Sequence, residues 1–219
     1  MEVPKGEFNM KNHARNQKII YMVELAMLIA LIIVLQLIGG SIPLGMIPLT
    51  FSLIPIVIGA IVLGPIGGGI LGFVFGVITI IMTPMNAILM TLFQANPVCY
   101  ILVAISKATL SGFGAGWVYK VLNKLLKERF KYFSTVIASI SVPIINTGIF
   151  VLGMFLFFSG TLSSFPAMYP SFFGTMNGYF QVVIIGLVGF NFVGEFIVNL
   201  VLSPAIARIV DVIGKRVKK

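Results

Sequence analysis

The sequence predicts an all-α membrane protein with six transmembrane helices. Hydrophobic residues make up 58% of its 219 residues and charged residues only 10%, and the mean hydropathy is +1.09. A soluble domain of this length carries far more charge. Several apolar runs are about 20 residues long, which at about 1.5 Å per residue is enough to cross a hydrocarbon core of about 30 Å.

The chain begins with a polar segment, residues 1–18, which cannot bury a core. The first predicted span follows at residues 19–38. This apolar run is too long for a signal peptide and lacks an A-x-A-like cleavage site. We therefore expect residues 19–208 to form one transmembrane domain, followed by a basic cytoplasmic tail at 209–219.

The second and third predicted spans form a tight hairpin, residues 49–83. Gly64-Pro65 supplies its turn, because glycine accepts unusual dihedral angles and proline cannot continue the preceding helix. Pro55 lies in the short first arm and predicts a tilt, a kink or a late helix start. Glycines recur at every fourth position and form a stripe that another backbone can approach closely: Gly64, Gly68, Gly72 and Gly76.

The fourth predicted span, residues 98–122, carries a second stripe of small residues at the same spacing, which should also face a helix. This stripe consists of Ala104, Ala108, Gly112 and Gly116. The fifth and sixth spans are predicted at 132–158 and 181–206. The three outer loops are expected at 39–48, 84–97 and 159–180, and the second is apolar enough to fold back into the protein.

The distribution of charge predicts that both termini are cytoplasmic. Nearly all lysines and arginines fall in the N-terminal segment, in a cluster at 120–131 and in the C-terminal tail, whereas the three predicted outer loops hold no charged residue. The positive-inside rule places the charged regions in the cytoplasm, which requires an even number of spans. The rule also accounts for the net charge of +9 without nucleic-acid binding.

Two ionisable side chains lie deep in predicted spans, where a charge needs a partner or a task. Lys107 and Glu195 are at similar depth in the fourth and sixth spans. Asn191 and Asn199 share one helix face with Glu195, and Asn146 lies near the same level. One interpretation is a structural ion pair satisfied by the asparagines. The other is the floor of a ligand pocket that opens outward; a proton relay would need more acidic groups or histidines.

Polar residues in the outer loops are further candidates for ligand contact, because small-molecule sites combine apolar walls with a few polar anchors. These candidates are Gln94, Asn96, Asn177 and Tyr179. The alternative is that the aromatic residues of these loops belong to an interfacial belt.

The sequence predicts neither an enzyme nor a cofactor or metal site. It lacks the G-x-x-x-x-G-K-[ST], H-E-x-x-H and G-x-S-x-G motifs. Its single cysteine, Cys99, excludes an internal disulfide and zinc-type ligand sets. No inverted repeat or pair of broken helices points to a secondary transporter that works alone. If the protein moves a solute, we expect a partner to supply the energy.

Two stretches carry a resemblance to a known family. FSLIPIVIGAIVLGPIGGGILGFVFG and NPVCYILVAISKATLSGFGAGWVYK resemble the second to fourth helices of the substrate-binding S components of energy-coupling factor (ECF) vitamin importers. The likeness covers most of the chain and includes six spans with both termini inside. The A-x-x-x-A motif of that family's first helix is matched by Ala26 to Ala30.

The resemblance implies a multi-pass subunit of a prokaryotic plasma membrane that binds a vitamin from outside. Its partners would be a transmembrane coupling subunit, two cytoplasmic ATPases and the lipid membrane. The implied coupling-subunit interface is formed by Ala26, Ala30, Gly64, Gly68 and Gly72, although packing within the chain is an alternative use of the glycines. The implied ligand site includes Lys107, Asn146, Asn191 and Glu195.

The run around Lys107 is most similar to S components for pantothenate, whose carboxylate a lysine can receive. Riboflavin, folate, and precursors of pyridoxine or thiamine are the alternatives within the family. A membrane scaffold without a ligand and a small autonomous transporter are the alternatives outside it.

Overall fold

The computed structural model describes residues 5–39, 50–126 and 130–217, and this part of the chain is helical without any strand. The predicted outer loop at 39–48 lies almost wholly outside the described residues. The α-helices are α1 Lys5–Gly39, α2 Leu53–Val62, α3 Gly64–Met82, α4 Ala87–Ala95, α5 Pro97–Leu126, α6 Lys131–Phe157, α7 Ser159–Ser163, α8 Phe165–Met168, α9 Pro170–Phe173, α10 Tyr179–Gln181 and α11 Phe190–Val217.

Five segments of the described chain are long and apolar enough to cross a membrane. They are Arg15–Gly39, Gly64–Met85, Pro97–Leu126, Lys131–Phe157 and Tyr179–Val212. The last one joins α10 to α11 through a π-helical segment, Val182–Gly189. These helices make the chain an integral membrane protein.

The second predicted span is shorter than a membrane crossing. α2 has 10 residues, about 15 Å of helix, and most of them are buried. Pro55 falls in its first turn, where the missing amide leaves no helix hydrogen bond broken. Of the three effects predicted for this proline, the structure therefore shows the late helix start. Six spans and their orientation stay predictions.

The two stripes of small residues pack against each other. Gly68 of α3 lies against the backbone of Gly112 in α5, and Gly72 lies against that of Ala108. A methyl group on either α3 glycine would overlap the facing carbonyl oxygen. The contacts advance by four residues along α3 and retreat by four along α5, so the helices run antiparallel. Gly64, with φ +82°, makes the turn before α3.

Two apolar clusters form the core of the described chain. The first surrounds α2 and includes Leu53, Ile56 and Val142. The second lies below the short outer helices and includes Phe158 and Phe165. At the end of the bundle beside the first cluster, Lys131 and Asp211 lie 4.0 Å apart. The start of α6 and the C-terminal part of α11 therefore lie at the same end of the bundle.

The second and third predicted outer loops contain short helices: α4 between α3 and α5, and α7 to α10 between α6 and α11. α4 turns two apolar side chains, Ile88 and Leu92, into the core. Its N-terminus is capped by the side chain of Asn86, which accepts from the amide of Leu89. A hydrogen bond of 2.6 Å between the hydroxyl groups of Thr91 and Tyr169 connects α4 with the third loop.

Candidate functional site

A cavity of about 310 Å³ lies between α1, α3, α4, α5, α6 and α11 and is lined by residues of both apolar clusters. Its wall is mainly apolar and contains aromatic and methionine side chains, among them Phe75, Met82, Phe150, Met154 and Phe192. This is the composition typical of a pocket for a small organic molecule. The polar residues in its wall therefore decide what can bind.

Lys107 is the one cation among the residues that line this cavity. It directly precedes Ala108 of the small-residue stripe, so its backbone is held by the close contact of α5 with α3. Its ammonium group lies 4.7 Å from the centre of the Phe150 ring, within the range of a cation–π interaction. A cation–π contact is weaker than an ion pair with a carboxylate, and it does not occupy all the N–H donors of the ammonium group. Donors therefore remain for a ligand.

Glu195 lies in the opposing part of the wall and its side chain is only 1% exposed. Oε1 accepts a hydrogen bond from Nδ2 of Asn191 at 3.3 Å. Thr50, which precedes α2, lies near this carboxylate in the cavity wall. Asn199 donates instead to the backbone carbonyl of Glu195, at 2.8 Å, and is fully buried. The polar face predicted for the sixth span therefore exists, but its two asparagines differ in what they bind.

Lys107 and Glu195 share the cavity without forming an ion pair. The described residues contain one ion pair within 4.0 Å, between Lys131 and Asp211, and the two buried charges are further apart than that. They still attract each other across the cavity. The closed ion pair of the first interpretation is therefore not formed in the structure, and both groups line the cavity instead.

Three acceptor oxygens in this wall are buried and have no hydrogen-bond partner within the described chain. They belong to Asn146 in α6 and to Asn191 and Glu195 in α11. Buried polar atoms are nearly always paired in folded proteins, and an orphan requires an explanation. Three orphans beside a free ammonium group indicate a place where a ligand completes the hydrogen bonding.

The structure places the four outer-loop candidates outside the cavity wall. Gln94 is exposed, and Asn96 caps the first turn of α5 by accepting from the amide of Cys99 at 3.1 Å. The backbone amide of Asn177 donates to the side chain of Gln181, and Tyr179 is 43% exposed. Ligand contact by these four residues stays a prediction, and their positions outside the cavity wall do not support it.

Other polar residues of the cavity were absent from the predicted site. Gln36, Thr50, Thr79, Asn86 and Tyr100 all line it. The sequence contained its clearest signal for Gln36, since it is an amide residue inside an apolar span. The others are a helix-capping asparagine, two threonines and a tyrosine, and only the folding of distant segments onto one another brings them to the cavity.

The residues of the predicted coupling interface lie in two environments. Ala26 and Ala30 are exposed on α1, whereas Gly68 and Gly72 are buried against α5. Gly64 is partly exposed at the turn before α3. The surface that remains open to a partner is therefore that of Ala26, Ala30 and Gly64, and the two buried glycines serve packing within the chain.

Comparison with known proteins gives one family. The model of the family described as ECF transporter, substrate-specific component, matches residues 21–207, a range that contains the whole cavity. No curated protein matches the chain significantly. A substrate-specific component must hold a solute inside a membrane subunit, which is what an apolar cavity with unsatisfied polar groups is suited to do. The chain belongs to the ECF transporter substrate-specific component family.

Proposed function

We propose that this protein is the high-affinity vitamin-binding subunit of an ATP-driven ECF importer and that its substrate is pantothenate. The family supports a substrate-specific membrane subunit that works with the other ECF subunits. The observation that carries the binding role is the set of three unpartnered acceptors and one lysine in a single cavity. A protein that only served as a scaffold would gain stability by filling that space with apolar side chains.

The polar groups of the cavity match the chemistry of pantothenate. Lys107 receives the carboxylate as a point charge. The oxygens of Asn146, Asn191 and Glu195 accept from the two hydroxyl groups and the amide N–H. The apolar wall contacts the carbon skeleton. The single tryptophan, Trp117, is 57% exposed and does not line the cavity, so the aromatic part of the wall consists of phenylalanine and tyrosine rings.

Transport requires the remaining subunits. α1 presents Ala26 and Ala30 on its exposed side, where small residues permit close approach of another helix. We propose that the transmembrane coupling subunit docks there and that two cytoplasmic ATPases supply the energy.

The test starts from the protein purified in mild detergent. Small molecules released by heat are identified by mass spectrometry, and the emptied protein is then heated with pantothenate and with other vitamins. A ligand that binds only the folded state raises the melting temperature. We expect stoichiometric pantothenate and a melting temperature that rises with its concentration. If another vitamin is released and also raises the melting temperature, that vitamin is the substrate instead of pantothenate. If the protein is empty and no vitamin changes its melting temperature, the result favours a membrane scaffold without a ligand.

A further inference from the structure

One polar residue of α1 reaches the cavity. Between Leu25 and Ile38 every residue except Gln36 is apolar. A glutamine at this position is costly to keep in a membrane helix unless its amide group is used. Its side chain is partly buried and lines the cavity together with Lys107 and Glu195.

A buried serine fixes which end of the Gln36 amide faces the cavity. Oγ of Ser52, a residue with 0% exposure, donates to Oε1 of Gln36 at 2.9 Å. A second acceptor, the backbone carbonyl of Ile32, is more distant at 3.3 Å. With Oε1 occupied, the Nε2 group offers two N–H donors, and no residue of the described chain accepts from them. A neutral donor group is thereby held ready in the cavity wall.

The cavity consequently has two kinds of polar wall. α1 and α5 contribute donors, from Gln36 and Lys107. α6 and α11 contribute the unpartnered acceptors of Asn146, Asn191 and Glu195. A carboxylate needs the charge of Lys107, whereas an uncharged amide is suited to a carbonyl or hydroxyl oxygen.

We propose that Gln36 is a substrate-binding residue that donates from Nε2 to a neutral oxygen of the ligand, and that Ser52 is its positioning residue. The inference rests on the proposed binding function and deepens it. It requires that the substrate carry an uncharged acceptor oxygen in addition to the anionic group that Lys107 receives.

The test measures the dissociation constant of pantothenate by calorimetry on the full chain in detergent. Gln36→Met keeps the shape of the side chain and removes its hydrogen bonds, so we expect affinity to fall about tenfold. Gln36→Glu keeps the oxygen that accepts from Ser52 but removes both donors, and we expect at least the same loss. The control is Val34→Met, because Val34 is exposed on the opposite side of α1 and should not affect binding.

The role of Ser52 is tested by combining substitutions. Ser52→Ala should weaken binding severalfold in the natural chain, because the amide is then free to turn. In the Gln36→Met background it should cause no further loss, since there is no amide left to position. A purely structural serine would instead lower the melting temperature of the ligand-free protein and weaken binding equally in both backgrounds.

The outcomes separate this inference from the proposed function. If the natural chain binds pantothenate and Lys107→Met abolishes binding, but Gln36→Met and Gln36→Glu bind normally, the role of Gln36 is wrong and the binding function stands. Additive effects of Ser52→Ala and Gln36→Met would overturn the positioning role. If the natural chain binds neither pantothenate nor any other vitamin, both proposals fail. Should Ser52→Ala not fold, the two Gln36 variants still decide whether Gln36 binds.

Discussion

At the scale of single residues, Lys107 gives the most direct test of the cavity. Lys107→Met removes the charge and retains a flexible apolar side chain of similar length. We expect affinity for a carboxylate ligand to fall by about a hundredfold or more, because a charge-assisted hydrogen bond contributes about 1.5–3 kcal/mol and the anion would also lose its only cation. Calorimetry with pantothenate measures the loss.

The same substitution at Lys120 is the matched control. Lys120 lies on the same helix and is exposed outside the cavity, so Lys120→Met should bind normally. The ligand-free Lys107→Met protein should be at least as stable as the natural chain, since no ion pair is broken. If the Lys107→Met protein is much less stable but binds pantothenate with unchanged affinity, Lys107 has a structural role and does not bind the ligand.

Asn191 and Asn199 share one helix face but should respond differently to substitution. Asn191 borders the cavity, so Asn191→Leu should weaken binding more than folding. Asn199 is fully buried and bonds the backbone of its own helix, so Asn199→Leu should lower stability first. Melting temperature and pantothenate affinity are measured for both variants. Equal loss of folding and binding in Asn191→Leu would contradict its assignment to the pocket.

The sequence predicted four of the polar cavity residues from their depth in apolar spans. Lys107, Asn146, Asn191 and Glu195 all reach the cavity. Depth alone could not show that the two charges are separated, because that depends on how α5 and α11 are spaced. Thr50 was missed for a related reason: it is distant from Glu195 in the sequence, and only the return of the chain from α1 to α2 brings it close.

At the scale of helices, the contact of α3 with α5 depends on the absence of side chains. Gly72→Ala would press a methyl group into the carbonyl of Ala108, and overpacking of this kind costs about 1–3 kcal/mol. We expect a lower melting temperature. The control is Gly148→Ala in α6, where no atom lies within 4 Å of the added carbon. A Gly72→Ala protein as stable as this control would show that the helices separate easily.

The elements themselves were predicted unevenly. The long helices α5 and α6 were predicted within a few residues of their observed ends, because proline or charged residues mark where a long apolar run begins or ends. The spacing of both small-residue stripes predicted close helix contact, although not that each stripe is the partner of the other. α2 is shorter than the predicted span, since its apolar composition also fits a short helix buried by its neighbours.

At the scale of the whole molecule, the protein should bind its substrate alone but not transport it. In proteoliposomes the single chain should retain pantothenate binding and show no uptake. Uptake should appear when the coupling subunit and both ATPases are added with ATP. Ala26→Trp should abolish uptake without changing affinity, because a large side chain blocks close helix approach. Uptake by the single chain would contradict the need for partners.

A second exposed position on α1 serves as control for that substitution. Leu31 is 41% exposed and lies about a third of a turn from the line through Ala26 and Ala30. Leu31→Trp should therefore leave uptake intact. If both tryptophan variants stop uptake, the loss comes from a general disturbance of α1 and does not show that the coupling subunit docks at the two alanines.

The position of the cavity between the two apolar clusters has a consequence for how the protein melts. The buried apolar residues of the described chain form two separate clusters, and the long helices α5 and α6 contribute to both. In the empty state we expect the two clusters to loosen at different temperatures. A bound molecule touches both clusters and joins them. The heat-absorption peak of the empty protein should accordingly be broad, and saturation with substrate should sharpen it as well as move it upward, because the ligand makes unfolding a more concerted event.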